Sequence, residues 1–185
     1  MNVSVKIAIK TACIEYIEGA LNATPNPDGF MIRYNNGKIA GQNLLSDIQN
    51  GRIKVNASNG VITDSLDIVA HSMGFAYAQG MIEVLKGKIP LSGYYIIAPE
   101  NAGSGSVNPT DFTQLWQYGS DETFDIGIQD GVAPQTKVGD LPDEKRAYIP
   151  ENWSPQGFIS SHSIENYKWI FTKNANQEGY VKPRN

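Results

Sequence analysis

The sequence predicts an α/β protein, with a mostly parallel sheet and helices on both faces in three layers. Three observations predict it. Residues 66–70 (L-D-I-V-A) and 94–98 (Y-Y-I-I-A) are short apolar runs of the kind that form buried strands. Between them, from Gly74 to about Lys86, Ala78, Met81, Ile82 and Leu85 recur on one helical face. A third apolar run, residues 112–118 (F-T-Q-L-W-Q-Y), follows a loop of small residues.

The other elements are read in order along the chain. In residues 5–21, Val5, Ile9, Ala12, Cys13, Tyr16, Ile17, Ala20 and Leu21 form a helical stripe, while alternation in V-S-V-K-I-A-I offers a strand over residues 3–9. The cluster T-P-N-P-D-G (24–29) is a turn. Residues 30–34 (F-M-I-R-Y) read as a strand stopped by Asn35, Asn36 and Gly37. Leu44, Leu45 and Ile48 suggest a short helix ending near Gly51. Residues 52–64 show only weak alternation, in R-I-K-V. Gly87 and Pro90 end the helix that starts at Gly74. Residues 119–153 are turn-rich and carry no assignment. Ile164, Tyr167, Trp169 and Ile170 then recur at mainly helical spacing over residues 161–171.

Bulk properties narrow the function. With 185 residues, 41% of them hydrophobic, the chain suits one domain spanning residues 1–185. A net charge of −4 and no basic cluster argue against a nucleic-acid partner. Cys13 is the single cysteine, so an intramolecular disulfide is impossible, and no metal-ligand spacing is present. Lys6 and Lys10 interrupt the N-terminal apolar residues, which argues against a signal peptide. No run reaches the ~18 apolar residues of a membrane-spanning helix. The expected setting is the cytoplasm or a piece of a larger secreted protein.

The chemistry centres on A-H-S-M-G, residues 70–74. A buried strand leads into Ser72 and a helix leaves it, with small residues two positions to either side. This is the nucleophile-elbow pattern: the serine occupies a strained turn, and larger flanking side chains would clash. Such a turn lifts the Ser72 hydroxyl above the sheet and aims the Met73 N–H at a developing oxyanion.

A serine needs a base. His71 adjoins it and should point away, as a packed or hydrogen-bonded residue. His162, in G-F-I-S-S-H-S, is the only other histidine and follows every expected strand. Acids lying between the third strand and His162 are Asp121, Glu122, Asp125, Asp130, Asp140, Asp143, Glu144 and Glu151. Asp121 comes straight off a strand end, and Asp130 lies in the turn Q-D-G-V-A-P. Asp140, Asp143 and Glu144 belong to a charged run that reads as a solvated loop.

Taken together, these motifs resemble the lipases and esterases of the α/β-hydrolase family. A-H-S-M-G is similar to that family's G-x-S-x-G, with Ala70 at the first glycine. Q-D-G-V-A-P is similar to the turn bearing the triad acid, and G-F-I-S-S-H to the loop bearing the histidine. The resemblance covers residues 66–170 in order. It implies a triad of Ser72, His162 and Asp130, with Asp121 the alternative acid, an oxyanion donor at Met73, no cofactor and no metal. Its substrate would be a small-molecule or lipid ester. The family's early strand, with the loop that gives the second oxyanion donor, is not evident, so a fold reduced at the N-terminus is expected.

Trp116, Tyr118, Trp153, Phe158, Tyr167 and Trp169 read as core and rim packing, or as an acyl pocket. The loop at residues 101–109 should sit at the active-site edge. Rival readings are a catalytically weak binding module of the same fold and an effector lipase released from a larger protein.

Overall fold

Residues 66–71 alternate strictly: Leu66, Ile68 and Ala70 are buried, and Asp67, Val69 and His71 are half-buried. Such alternation gives an extended strand with two different faces. The structure, a computed structural model, describes residues 6–8, 28–99, 102–119, 137–148, 167, 169 and 170. Within these the elements run β1 (Lys6–Ala8), α1 (Asp28–Gln49), β2 (Ala57–Ser58), β3 (Val61–Ile62), β4 (Leu66–His71), α2 (Gly74–Leu85), β5 (Leu91–Ile97), β6 (Gln114–Gly119) and β7 (Arg146–Tyr148).

Five of these strands form one sheet in the order β1-β4-β5-β6-β7. Every neighbouring pair is parallel, with Ala8 opposite Val69, His71 opposite Ile97, and Ile97 opposite Tyr118. The C-terminal ends of the strands therefore share one edge, where ligands bind in open α/β sheets. The α/β class holds: the described residues give a parallel sheet with two α-helices, both packed on one face rather than on both.

Each face of the sheet has its own core. On the first, Leu66, Ile68, Ala70, Tyr94, Ile96 and Leu115 pack with residues of both helices, among them Phe30, Leu44, Phe75 and Leu85. On the second, Tyr95, Ile97, Trp116 and Tyr118 pack with Tyr167, Trp169 and Ile170, and the Trp169 ring meets Tyr118 edge-on at 6.0 Å. Four of the aromatics in the candidate acyl pocket, Trp116, Tyr118, Tyr167 and Trp169, are thus core residues. Trp153 and Phe158 lie outside the described residues.

Three sequence expectations need correction. First, Lys6–Ala8 is a strand and not part of a helix, as the alternative reading of residues 3–9 had it, and it lies beside β4. Its alternation, V-K-I-A-I, carried the right signal. Second, residues 30–34 are not a strand, and Leu44 does not begin a separate helix. Both lie in the single 22-residue α1. Phe30, Tyr34, Gly37, Gly41, Leu44 and Ile48 share one stripe at spacings of three and four.

Gly37 looks like a stop signal because glycine costs a helix about 1 kcal/mol. Tertiary packing overrides that cost. A Cβ on Gly37 would stand 1.9 Å from the Tyr77 carbonyl oxygen, and one on Gly80 the same distance from that of Tyr34. Helices α1 and α2 thus cross in backbone contact, and only glycine fits at these two points.

Third, the unassigned stretches contain strands. Residues 57–62 form a two-strand hairpin. Its turn is Asn59-Gly60, with φ of 52° and 78°, the left-handed pair favoured in tight hairpins. The carboxylate of Asp64 closes the base, accepting from the backbone N–H of Asn56 at 2.8 Å and its Nδ2 at 2.9 Å. Residues 146–148 add β7 to the sheet edge, directly after the charged run, whose Asp140, Asp143 and Glu144 are exposed as expected. Among the described residues, no helix is long and apolar enough to cross a membrane.

Candidate functional site

Strand β4 ends and α2 begins within three residues, and Ser72 lies at that junction. Its φ is +56°. For a residue with a Cβ this left-handed conformation costs roughly 1–2 kcal/mol. The surroundings hold it there. The Ser72 N–H donates to the Ile97 carbonyl at 3.0 Å, extending the β4–β5 ladder by one residue. The Phe75 N–H donates back to the Ser72 carbonyl at 3.1 Å, closing the turn.

The flanking small residues have a visible reason. Ala70 is 0% exposed, and Gly74 is buried. Both are enclosed at the junction of β4 and α2. Met73 is already helical, with φ −60° and ψ −20°, and no side chain caps α2. The first N–H groups of α2 are therefore not satisfied by an N-cap side chain, and they lie at the positive end of the helix dipole.

His71 alternates with Val69 onto the second face of the sheet, away from α1 and α2. It is half-buried and engaged in an interaction of its own. This agrees with its reading as a packed residue beside the turn.

The other sequence candidates, His162, Asp130 and Asp121, lie outside the described residues. Their anchoring points do not. The segment bearing both aspartates leaves β6 at Gly119, on the same sheet edge as Ser72. It returns at Val138, whose N–H donates at 3.0 Å to Oε1 of Gln117, a β6 residue only 1% exposed. Tyr167, five positions after His162, is fixed against β5 and β6. Five residues reach about 17 Å at most, which bounds the distance from Tyr167 to His162.

At the other side of β4, β1 ends at Ala8 opposite Val69. The chain leaving β1 thus departs from the same edge, close to Ser72. The loop after β5 starts there too, through Ala98 at φ +44°. Of its described residues, Ala102 and Val107 are buried, and Ser106 bridges to Gly139.

A surface groove of about 430 Å³ runs along α2 beyond the turn, lined by Gln79, Ile82, Lys86, Ser106, Asn108 and Phe112 among others. The Lys86–Asp111 ion pair, 2.7 Å, joins two of its lining residues, and Ser72 is not part of it. Sequence reasoning placed Ser72 between a strand and a helix, as observed, and offered the strand beside it only as one of two readings of residues 3–9. The anchoring role of Gln117 toward Val138 has no motif to mark it in the sequence. No family of known proteins, no curated protein and no solved structure matches this chain.

Proposed function

We propose that this protein is a serine hydrolase that cleaves a carboxylic ester, in the manner of the α/β-hydrolases its motifs resemble. The observation that carries the reading is Ser72 at φ +56°, between a parallel strand and a helix, at the edge where the strands end. Strain of this kind persists only when the surroundings impose it, and it concentrates at functional sites.

In this reading Ser72 Oγ attacks the ester carbonyl as His162 takes its proton. The Met73 N–H and the positive end of α2 stabilise the oxyanion. His162 then protonates the leaving alcohol, and the C–O bond breaks to leave an acyl-serine. Water, deprotonated by His162, releases the acid and restores the serine. Asp130 orients His162, with Asp121 the alternative. Strand β1 favours an intact oxyanion hole, because hydrolases of this type take their second donor from the chain after the strand beside the nucleophile strand. No cofactor enters the reaction.

A fluorophosphonate probe tests this directly. Labelling is expected on wild type and absent from Ser72→Ala. Equal labelling of the two proteins would remove Ser72 from the chemistry. A non-catalytic binding module predicts no labelling and no turnover of short-chain esters.

A further inference from the structure

Asparagine followed by glycine occurs three times, at Asn36-Gly37, Asn50-Gly51 and Asn59-Gly60. The pair has a chemistry of its own. The glycine amide nitrogen can attack the asparagine side-chain carbonyl carbon, because glycine has no Cβ to block the approach. The attack needs an unheld side chain and a backbone free to turn the nitrogen toward it. The fold treats the three pairs differently.

Gly37 lies inside α1, with its backbone pressed against the Tyr77 carbonyl. Its nitrogen cannot turn without breaking the helix crossing. At the end of α1 both reacting groups of the second pair are held. The Gly51 N–H donates to the Ile48 carbonyl at 3.0 Å, and the Asn50 side-chain amide donates to Ser46 Oγ at 3.2 Å.

The third pair is the turn of the β2–β3 hairpin, and both of its residues are exposed. Among the described residues, neither the Asn59 side chain nor the Gly60 N–H has a hydrogen-bond partner. Apart from chain neighbours, no atom lies within 4 Å of the point where a Gly60 Cβ would stand. The hairpin pairs only Ala57 with Ile62 and Ser58 with Val61. A two-strand ladder this short is marginal by itself and opens locally at little cost. Asn56, the other asparagine of the hairpin, has its side-chain amide bound to Asp64 at 2.9 Å and is followed by alanine.

We propose that Asn59 is a site of spontaneous deamidation, and that the fold confines this reaction to the hairpin turn. The Gly60 nitrogen loses its proton to solvent base and bonds to Cγ of Asn59. The Cγ–Nδ2 bond breaks, and the nitrogen departs with a proton as ammonia. Water then opens either carbonyl of the resulting succinimide ring, leaving aspartate or isoaspartate at position 59. The net change is one water taken up and one ammonia lost, with no oxidant or reductant.

Either product adds a negative charge to the turn. Isoaspartate also adds a methylene to the main chain, so the two-residue turn no longer fits the register of its strands. The hairpin leads into β4 at the end opposite Ser72. The modification therefore stands independently of the hydrolase reading.

Trypsin separates the three pairs. Cleavage after Arg33, Lys38, Arg52, Lys54 and Lys86 places them in peptides 34–38, 39–52 and 55–86. Folded protein is aged at neutral pH and sampled by mass spectrometry, beside protein kept in urea. Each deamidation raises the mass of its peptide by about one dalton. In folded protein, peptide 55–86 should gain this mass first, with fragmentation assigning it to Asn59. It should do so about tenfold faster than peptide 39–52, where two ordinary hydrogen bonds hold the pair. In urea the three rates should converge.

An isoaspartate-specific carboxyl methyltransferase with a labelled methyl donor should mark aged wild type more heavily than aged Asn59→Gly, whose Gly-Gly turn still suits the hairpin. Peptide 34–38 or 39–52 gaining mass as fast as 55–86 in folded protein would overturn the proposal. So would an unchanged peptide 55–86, a change that falls on Asn56, or equal labelling of the two proteins.

Discussion

The amide of Ser72 donates to the carbonyl oxygen of Ile97 at 3.0 Å, one residue past the end of β4. The neighbouring strand does the same: the amide of Ala98 donates to Tyr118 at 2.9 Å, one residue past β5. Both residues have positive φ, 56° and 44°. Two adjacent strands thus end by turning sharply while still held by the next strand. At Ala98 the turn is buried, and at Ser72 a half-buried hydroxyl-bearing residue occupies it.

That comparison gives the first prediction. Ser72→Gly relieves the left-handed strain, worth roughly 1–2 kcal/mol, against a gain in unfolded-chain entropy of about 0.4–1 kcal/mol. Ser72→Ala keeps the strain. Urea melts should show the glycine variant about 0.5–1 kcal/mol more stable than the alanine variant. An alanine variant as stable as the glycine one would mean that the turn is not strained.

The helix crossing gives the second. Gly80→Ala places a methyl group against the Tyr34 carbonyl, a contact that only movement of the backbone can relieve. Overpacking of this kind costs about 1–3 kcal/mol or more. Gly87→Ala is the control: its φ is +75°, yet no atom lies within 4 Å of the added methyl. It should cost about 1 kcal/mol. Thermal melts of the two variants separate loss of packing from loss of backbone freedom.

How much was legible in the sequence follows from what each signal measures. Strands β4, β5 and β6 and helix α2 were readable because both their burial and their period are local. Helix α1 was not, since Gly37 has a tertiary reason: it meets Tyr77, forty residues away. The Asn59-Gly60 turn was readable in principle, as the dipeptide typical of a tight hairpin between V-N-A-S and V-I-T. Strand β1 was half legible, because a helical stripe and a strand alternation overlap in the same residues. Of the candidate site, the turn at Ser72 announced itself through its small neighbours.

A pH dependence gives the third prediction. The backbone N–H of Asn56, followed by its side-chain amide, holds the Asp64 carboxyl below its ordinary value of 3.8. A lowered folded-state pKa contributes stability that is fully present above the unfolded value and is lost as pH falls through the folded one. The hairpin base should therefore loosen below about pH 4. Asp64→Asn lacks this titration, so its unfolding midpoint should fall less steeply than that of wild type between pH 4 and 2. Parallel midpoint curves for the two proteins would show that Asp64 does not contribute to the acid limb.

The choice of triad acid gives the last prediction. In sequence, Asp121 follows Gly119 by two residues, whereas Asp130 lies midway between Gly119 and Val138. The two differ in how they depend on the anchor at Gln117. Gln117→Leu leaves the Val138 N–H without its buried acceptor, a loss of about 1–3 kcal/mol. That change frees the far end of the segment and leaves the β6 end attached. If Asp130 orients His162, Asp130→Asn should lower ester turnover by about 10⁴-fold. Gln117→Leu should then lower kcat with little change in KM, while Asp121→Asn stays near wild type. If Asp121 is the acid, the asparagine substitutions exchange effects, and Gln117→Leu costs stability without a matching loss of kcat. Steady-state kinetics of the three variants, read beside their thermal midpoints, decide between the two carboxylates.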